Sequence, residues 1–382
     1  TTNQEPERFS GPPEPGPGNK QAIEKAAKFI ADCEQPTLIV GDQIARTGKE
    51  AVSAAAQFAE ASGAKVHGEI LTSEVNFPAN HPQWLSHLPP DEDIVNSLID
   101  TDLVIYAGVS THTTLTSRDI PLHSSEATVI SIGVDPWELG KNFPSDIKIS
   151  GNPGLILGDL ADVLSNRISQ TQINRRLSKI SQRKSTLEDK FEAVPSTESK
   201  NPSKHDLVEA LKSTAQTALI VDEGITSKYV MLNTWSMNPQ QYLSNKGGGL
   251  GYGLPATLGA AIAEHQSQSP RDVIGFIGDG SFLYYPNALY TAARYGIDAT
   301  VIIANNQNYR ILKDNAEDIF EDEIENINLE GIDFEPAIDL SATAESFGVP
   351  GNQVQTVAEI ENSISKSMNS DGTQLVDVHV HD

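Results

Sequence analysis

Short apolar runs, each ended by glycine or by polar residues, recur along the chain and alternate with segments of helical pattern. Residues 49–63, "KEAVSAAAQFAEASG", predict a helix that Gly63 closes. Strands that alternate with helices predict a parallel sheet, so we predict an α/β domain over residues 21–166. Three runs in this part have the length of buried parallel strands: "TLIVG" (37–41), "DLVIYAG" (102–108) and "TVISIGVD" (128–135).

The second half of the chain repeats this pattern and predicts another α/β domain over residues 205–382. Residues 170–193 are charged and helix-prone, so residues 167–204 are interpreted as a connecting helix and linker. The first 20 residues are rich in Pro, Gly and Glu and predict a further linker. The predicted fold class is therefore α/β, with two doubly wound parallel-sheet domains. Four runs predict strands of the second domain: "ALIVDEG" (218–224), "DVIGFIGDG" (272–280), "ATVIIANN" (299–306) and "QLVDVHV" (374–380).

The chain is strongly acidic. Its 382 residues include 52 Asp plus Glu against 27 Lys plus Arg, which gives a net charge of -25. That charge argues against nucleic acid and anionic membranes as partners, and the basic connecting helix lacks the interleaved aromatic residues of a nucleic-acid site. It favours a halophilic protein, because concentrated salt screens self-repulsion; an ordinary acidic cytosolic protein is the alternative.

Three further features limit the class of protein. Cys33 is the only cysteine, which excludes an intrachain disulfide and a cysteine-cluster metal site. No apolar run of about 18 residues and no signal-peptide pattern occur, so we predict a cytoplasmic protein without membrane partners. "GDQIARTG" (41–48) departs from the G-x-G-x-x-G dinucleotide fingerprint.

Polar residues and glycines follow the predicted strands of the second domain. Gly278 and Gly280 let the backbone turn close to a ligand, while Asp279 and Asn306 offer hard oxygen atoms. Ligands bind at the carboxyl ends of such strands, and Ser281 at the start of the next helix adds donors for an anion. The pattern predicts a metal–diphosphate site; two unrelated turns are the alternative.

The same residues resemble a known family. Gly-Asp-Gly followed after 24 residues by Asn-Asn resembles the cofactor motif of the thiamin-diphosphate-dependent decarboxylases and synthases. Within that family the resemblance is to benzoylformate decarboxylase first and to the acetolactate synthase large subunit more distantly. It covers nearly the whole chain from Gln21 onward. Besides the motif, five segments carry it: "NKGGGLGYGLPATLGAAIAE" (245–264), "GIDFEPAIDLSATAESFGV" (331–349), "QLVDVHV" (374–380), and, in the middle domain, "NFPANHPQWL" (76–85) and "VISIGVDPWELGKN" (129–142).

The resemblance implies thiamin diphosphate and Mg²⁺ as cofactors and assigns residues to them. The metal ligands it implies are Asp279, the Asn306 side chain and the main-chain oxygen of Asn308. Leu250 would support the bent cofactor, and the carbonyl of Gly248 would accept a hydrogen bond from its amino group. Ile311 and Leu312 would face the substrate. The remaining implied cofactor residues are Gly224, Ile225, Thr226, Gly249, Gly278, Gly280, Ser281 and Tyr309.

The resemblance also implies an activity, namely non-oxidative decarboxylation of a 2-oxo acid by a homo-oligomer, a dimer or tetramer. An acetolactate-synthase-like carboligase and a non-catalytic diphosphate-binding module are the alternatives. Bound flavin is not expected, because the middle domain lacks the arginine-containing pattern of flavin-binding relatives.

No catalytic side chain is evident. His112 lies near, but out of register with, a histidine of the family's middle domain, and a surface-loop histidine is the alternative. Arg310 stands where the family usually has a small residue. The activating glutamate of the family belongs to a domain that precedes the middle domain, and nothing before Gln21 resembles it. We therefore expect a fragment or one subunit of a split enzyme, inactive alone, with an exposed apolar surface on its last domain.

Overall fold

Two parallel six-stranded sheets, flanked by helices and joined through one long helix, form the protein. The structure is a computed structural model that describes residues 14–88, 101–110, 122–141, 144–192, 201–320 and 327–381. The predicted fold class, two doubly wound α/β domains, is confirmed. In this described part of the chain, no helix is long and apolar enough to cross a membrane.

The first sheet has the strand order β3-β2-β1-β4-β5-β6, and all its strands are parallel. The chain reverses its winding direction between β1 and β4, which makes the carboxyl ends of these strands the crevice of the domain. The elements are α1 (Lys20–Asp32), β1 (Pro36–Val40), α2 (Gln43–Arg46), α3 (Lys49–Ser62), β2 (Lys65–Gly68), β3 (Trp84–His87), β4 (Leu103–Ala107), β5 (Thr128–Gly133), β6 (Ile147–Ser150) and α4 (Pro153–Ser165).

The connecting helix α5 (Gln170–Glu192) is fixed to the first sheet domain by a buried arginine. The guanidinium of Arg176 donates to the carbonyl oxygens of Ile30, Ser62 and Cys33, at the ends of α1 and α3. These carbonyls have no partners within their helices, so the arginine satisfies them and anchors α5 at the same time. Part of the basic character of this helix is therefore structural.

The second sheet has the order β11-β12-β10-β9-β7-β8 and is also parallel throughout. Its winding direction reverses between β7 and β9. The elements are α6 (Lys204–Thr214), β7 (Leu219–Glu223), α7 (Lys228–Thr234), β8 (Tyr242–Ser244), α8 (Gly253–His265), β9 (Val273–Gly278), α9 (Asp279–Phe282), α10 (Ala288–Tyr295), β10 (Thr300–Asn305), α11 (Arg310–Phe320), α12 (Leu340–Ser346), β11 (Gly351–Val354), α13 (Val357–Met368) and β12 (Gln374–His379).

Both predicted linkers are shorter than the sequence indicated. Ser203 caps α6 in a capping box with Asp206 and forms a bridge with His381, so residues 201–204 belong to the second domain. Asn19 caps α1, and the carbonyl of Gly16 accepts a hydrogen bond from the Asn152 amide at 2.8 Å. Residues 16–19 therefore belong to the first domain.

The two sheet domains are in direct contact. Val75, in the segment that follows β2, is buried in the core of the second domain. The amide of Ser244, at the end of β8, donates to the carbonyl of Ser73 at 3.0 Å. The carboxyl edge of the first sheet therefore packs against the segment that leads from β8 to α8.

Candidate functional site

A crevice opens at the carboxyl edge of the second sheet, at the reversal between β7 and β9, where ligands of doubly wound folds bind. All the predicted cofactor and metal residues except Gly248 and Gly249 line it. They are Gly224, Ile225, Thr226, Leu250, Gly278, Asp279, Gly280, Ser281, Asn306, Asn308, Tyr309 and Ile311.

Asp279 is a buried carboxylate at the base of this crevice, with 4% of its surface exposed. Its oxygens accept hydrogen bonds from the amides of Gly280 at 2.8 Å and Gln307 at 2.6 Å. Burial raises the pKa of Asp279 to about 6, although these amides favour its charged form. Among the residues that the structure describes, no cationic side chain forms an ion pair with it. A buried carboxylate that has only neutral donors fits a cation ligand.

The structure distinguishes the two adjacent asparagines. Asn305, at the end of β10, is buried; its amide nitrogen donates to Asp377 at 2.8 Å, and its oxygen accepts from the Gln307 amide. Asn306 lines the crevice, and its side-chain oxygen accepts from the amide of Asn308 at 3.3 Å. Asn305 therefore supports the turn, and Asn306 presents its side chain to the crevice.

The turn after β10 is held by a separate segment of the chain. The Tyr309 amide donates to the carbonyl of Ile332 at 3.0 Å, and the Phe334 amide donates to the carbonyl of Gln307 at 2.9 Å. The Tyr309 ring also packs edge-on against Phe334, with 4.9 Å between ring centroids. This support fixes the position of Asn308, whose carbonyl oxygen is one of the predicted metal ligands.

Gly278 and Gly280 have different reasons to be glycine. A Cβ atom on Gly280 would lie 2.5 Å from Cε1 of Tyr309, so packing within the protein excludes a side chain there. A Cβ atom on Gly278 would meet no protein atom closer than 3.7 Å, and the φ of -71° suits any residue. The open space beside Gly278 therefore forms a cradle that a ligand can fill.

Glu223 has a structural role that sequence reasoning missed. Its carboxylate accepts hydrogen bonds from the amides of Gly251 at 2.8 Å, Tyr252 at 3.1 Å and Gly253 at 2.6 Å. It thereby caps the start of α8 and holds Leu250, the preceding residue, at the crevice. No local pattern marks this contact, because Glu223 and Gly251 belong to different elements.

Four predicted positions lie away from the crevice lining or outside the described part. Gly248 and Gly249 form an exposed turn, where a Cβ atom would meet nothing within 4 Å. Leu312 has 48% of its surface exposed and does not line the crevice, whereas Ile311 does. His112 lies outside the described residues.

Two cationic side chains, Lys204 and Arg310, also line the crevice, and of these the sequence did not assign Lys204 to it. Lys204 lay in a predicted linker, and the bridge between Ser203 and His381 brings it to the sheet edge. Arg310 lines the crevice as well and pairs with Asp314 through its Nε at 2.6 Å. Over the described ranges no group of three or more His, Cys, Asp or Glu could hold a metal, so a metal here needs amide, main-chain or ligand oxygens.

Large aromatic side chains are exposed beside the segment that leads to α8. Tyr284, Tyr285 and Tyr290 each have about half of their surface exposed, at 52%, 52% and 54%. A Cβ atom on Gly251 would contact Tyr284 and Tyr285, which places both next to Leu250. The second domain thus exposes large aromatic side chains beside Leu250, and the expected apolar surface for a partner stays a prediction.

Two parallel doubly wound sheets, with a glycine-lined crevice at the reversal of the second, define a ligand-binding α/β protein. The chain belongs to the thiamine pyrophosphate enzyme family. Residues 23–160 match the family described as "Thiamine pyrophosphate enzyme, central domain", and residues 222–378 match its "C-terminal TPP binding domain".

Relatives of two activities are similar to the chain at comparable identity. It is 26% identical over 375 residues to the probable acetolactate synthase large subunit of Methanocaldococcus jannaschii. This alignment covers 94% of the chain and 60% of that protein. It is 27% identical over 356 residues to benzoylformate decarboxylase of Pseudomonas aeruginosa. This alignment covers 91% of the chain and 62% of that protein. The chain thus spans less than two thirds of the length of these relatives.

A solved structure shows the same fold over almost the entire chain. The thiamine diphosphate-dependent 4-hydroxybenzoylformate decarboxylase of Rhodococcus jostii matches with a TM-score of 0.77 and 23% identity, covering 98% of this chain and 66% of that protein.

Proposed function

We propose that the chain is the cofactor-binding part of an enzyme that decarboxylates a 2-oxo acid non-oxidatively, with thiamin diphosphate and Mg²⁺. The observation that carries this proposal is the buried Asp279 carboxylate beside the Gly278 cradle, at the reversal of the second sheet. An anionic diphosphate and a carboxylate attract the same divalent cation, so the two features are complementary.

The residues present fit both cofactors. Asp279, the Asn306 side chain and the Asn308 carbonyl would hold Mg²⁺, while Gly278, Ser281 and the segment from Gly224 to Thr226 would hold the diphosphate. Lys204 and Arg310 add positive charge where the diphosphate would lie. Leu250, held through the Glu223 cap, would support the rings of the cofactor, and Ile311 would border the substrate.

Thiamin diphosphate, when bound, supplies the electron sink that lets carbon dioxide leave a 2-oxo acid. The chain itself would bind and orient. The backbone amide of Ser281 would donate to an anionic oxygen of the ligand, and the apolar side chains of Leu250 and Ile311 limit access of water to the crevice. No described side chain of the crevice has to act as a nucleophile.

Acetolactate-synthase-like carboligation is the second candidate, because the archaeal acetolactate synthase relative is as similar as benzoylformate decarboxylase. The two reactions share the cofactor and the first decarboxylation. They differ in whether a second 2-oxo acid is taken up and joined by a carbon–carbon bond.

Product analysis tests this proposal. The complete enzyme should be incubated at high salt with a panel of aromatic and aliphatic 2-oxo acids, thiamin diphosphate and Mg²⁺. Release of carbon dioxide with an aldehyde product supports decarboxylation, and a hydroxy-keto acid product supports carboligation. No cofactor-dependent carbon dioxide release from any member of the panel would contradict both.

The proposal also covers salt dependence, oligomeric state and cellular location. The net charge of -25 supports function in concentrated salt. The exposed tyrosines near Leu250 support assembly into a dimer or tetramer, which light scattering can measure. A cytoplasmic location is proposed from the acidic, cysteine-poor composition.

A further inference from the structure

Lys246 of the second domain lies in an acidic pocket of the first domain. Its Nζ forms ion pairs with Asp42, at 2.8 Å, and with Glu69. The side chains of Asp42 and Glu69 are 1% and 0% exposed, and that of Lys246 is 17% exposed. We call Asp42 and Glu69 the acidic pocket.

The acidic pocket stands at the carboxyl edge of the first sheet, where its winding direction reverses. Asp42 comes two residues after β1, and Glu69 directly follows β2. A doubly wound domain binds its ligand at this place. Here the lysine of the second domain occupies that place.

The pocket holds both carboxylates with hydrogen-bond donors of the first domain. Asp42 accepts hydrogen bonds from the Ser73 amide at 3.0 Å and from the Asn76 side chain at 3.0 Å, and Glu69 accepts from the Ser110 amide at 3.0 Å. Burial tends to raise the pKa of Asp42, but Lys246 and the side chains of Ser73 and Asn76 bring it to about 2. Burial and the charge of Asp42 raise the pKa of Glu69, and Lys246 opposes that shift. Asp42 is therefore the charged, preorganised partner of Lys246.

The position of Lys246 gives this contact a consequence for the crevice. Between Lys246 and Leu250 stand only Gly247, Gly248 and Gly249, and the last two would have no neighbour within 4 Å of a Cβ atom. Three consecutive glycines have large conformational freedom. Within the segment, the Asn245 side chain accepts from the Gly247 amide at 2.7 Å and donates to the Gly249 carbonyl at 2.6 Å. Glu223 holds the far end through Gly251, and Lys246 attaches the near end to the first domain.

We propose that Lys246 is a positioning residue, through which the acidic pocket of the first domain orders the glycine segment and presents Leu250 to the cofactor. This inference rests on the proposed function. It assigns to the first domain a part in cofactor binding without contact to the cofactor.

The test separates positioning from simple stabilisation. Lys246→Met leaves two carboxylates buried without their cation, which destabilises the fold. The triple variant Lys246→Met, Asp42→Asn, Glu69→Gln removes the charges together, so stability should return while the attachment stays lost. Lys212→Met, which breaks an exposed ion pair with Glu209, is the matched control.

Three readouts apply to each variant: hydrogen–deuterium exchange of residues 245–253, thermal unfolding, and titration with thiamin diphosphate and Mg²⁺. In both Lys246 variants we expect the amides of residues 247–250 to exchange about tenfold faster than in the parent chain. We expect cofactor affinity to fall about tenfold as well, because binding must then order a mobile segment, and the lost conformational entropy opposes binding. Only the single variant should unfold at lower temperature.

Parent-like exchange and affinity in the triple variant would overturn the proposal, and so would parent-like values in a folded single variant. If the single variant does not fold, the triple variant decides the matter alone. Should the parent chain itself fail to bind thiamin diphosphate, the proposed function fails, whereas the exchange measurement still decides whether Lys246 orders the segment.

Discussion

Two buried histidines on neighbouring strands should make the stability of the protein fall in mild acid. His67 in β2 is fully buried, and His87 at the end of β3 is 6% exposed. The His67 ring lies 3.4 Å from the Ser86 hydroxyl, and the His87 ring packs edge-on against Trp84 with 4.8 Å between centroids. Burial, together with Lys65 near His67 and Lys228 near His87, lowers the pKa of each histidine to about 3.

The sign follows from the direction of these shifts. Unfolding returns each pKa to about 6.5, so below that pH the unfolded chain binds protons that the folded chain does not. The contribution of the neutral histidines to the free energy of unfolding is complete above about pH 6.5 and is lost as the pH falls toward 3. One pH unit corresponds to about 1.36 kcal/mol per histidine, and pH 5 lies about 1.5 units below the unfolded pKa. Each histidine therefore lowers the free energy of unfolding by ~2 kcal/mol near pH 5, and the pair lowers it by ~4 kcal/mol.

The assay is urea unfolding at constant high salt, near pH 7.5 and near pH 5, for the parent chain and for His67→Asn and His87→Asn. Between pH 7.5 and pH 5, the free energy of unfolding of each variant should fall by about 2 kcal/mol less than that of the parent. This difference does not depend on how stable the variant is at pH 7.5. His265→Gln, at an exposed position, is the control and should behave as the parent. An identical pH dependence in the parent and both variants would refute the reasoning.

Three other predictions concern salt, the cradle at Gly278 and the charge of Lys204. The free energy of unfolding should rise between about 0.1 M and about 1 M salt, because the Debye length shortens and the charge of -25 repels itself less; a flat or falling curve would count against the halophilic interpretation. Gly278→Ala should unfold like the parent yet lose thiamin diphosphate affinity, since its methyl group fills the cradle without a clash, with the nearest protein atom at 3.7 Å, and unchanged affinity would place the ligand elsewhere. Lys204→Met should weaken binding of thiamin diphosphate about tenfold but leave binding of thiamin unchanged in a competition titration, because only the former carries the diphosphate; equal weakening of both would contradict this role.

Strands with an apolar sequence could be predicted, and strands with polar residues could not. β1, β4, β9 and β10 are mostly apolar runs, and β7 is apolar up to its final Asp222 and Glu223, because helices cover both faces of these strands. β11, "GNQV", is exposed at two of its four positions, and β2, "KVHG", buries a histidine instead of an aliphatic residue. Neither pattern differs from that of a loop, so both strands depend on pairing with a neighbour for their conformation.

The crevice could be predicted where it is built from strand ends. Asp279 and Asn306 directly follow apolar runs, and parallel strands bring their carboxyl ends to one edge. The contacts of Lys204, Glu223 and Lys246 depend on residues that are distant in sequence: Lys246 pairs with Asp42, 204 positions away. Such contacts form only when the sheets have been assembled, so the spacing of residues along the sequence does not predict them.

The most direct test of the central claim is calorimetric titration of the chain with thiamin diphosphate, with and without Mg²⁺, for the parent and for Asp279→Ala. The proposed site predicts binding that requires Mg²⁺ in the parent and is lost in the folded variant, because Asp279 supplies the only full negative charge among the proposed metal ligands. ADP with Mg²⁺ should bind far more weakly than thiamin diphosphate. Equal binding of ADP, or parent-like affinity in Asp279→Ala, would contradict the account.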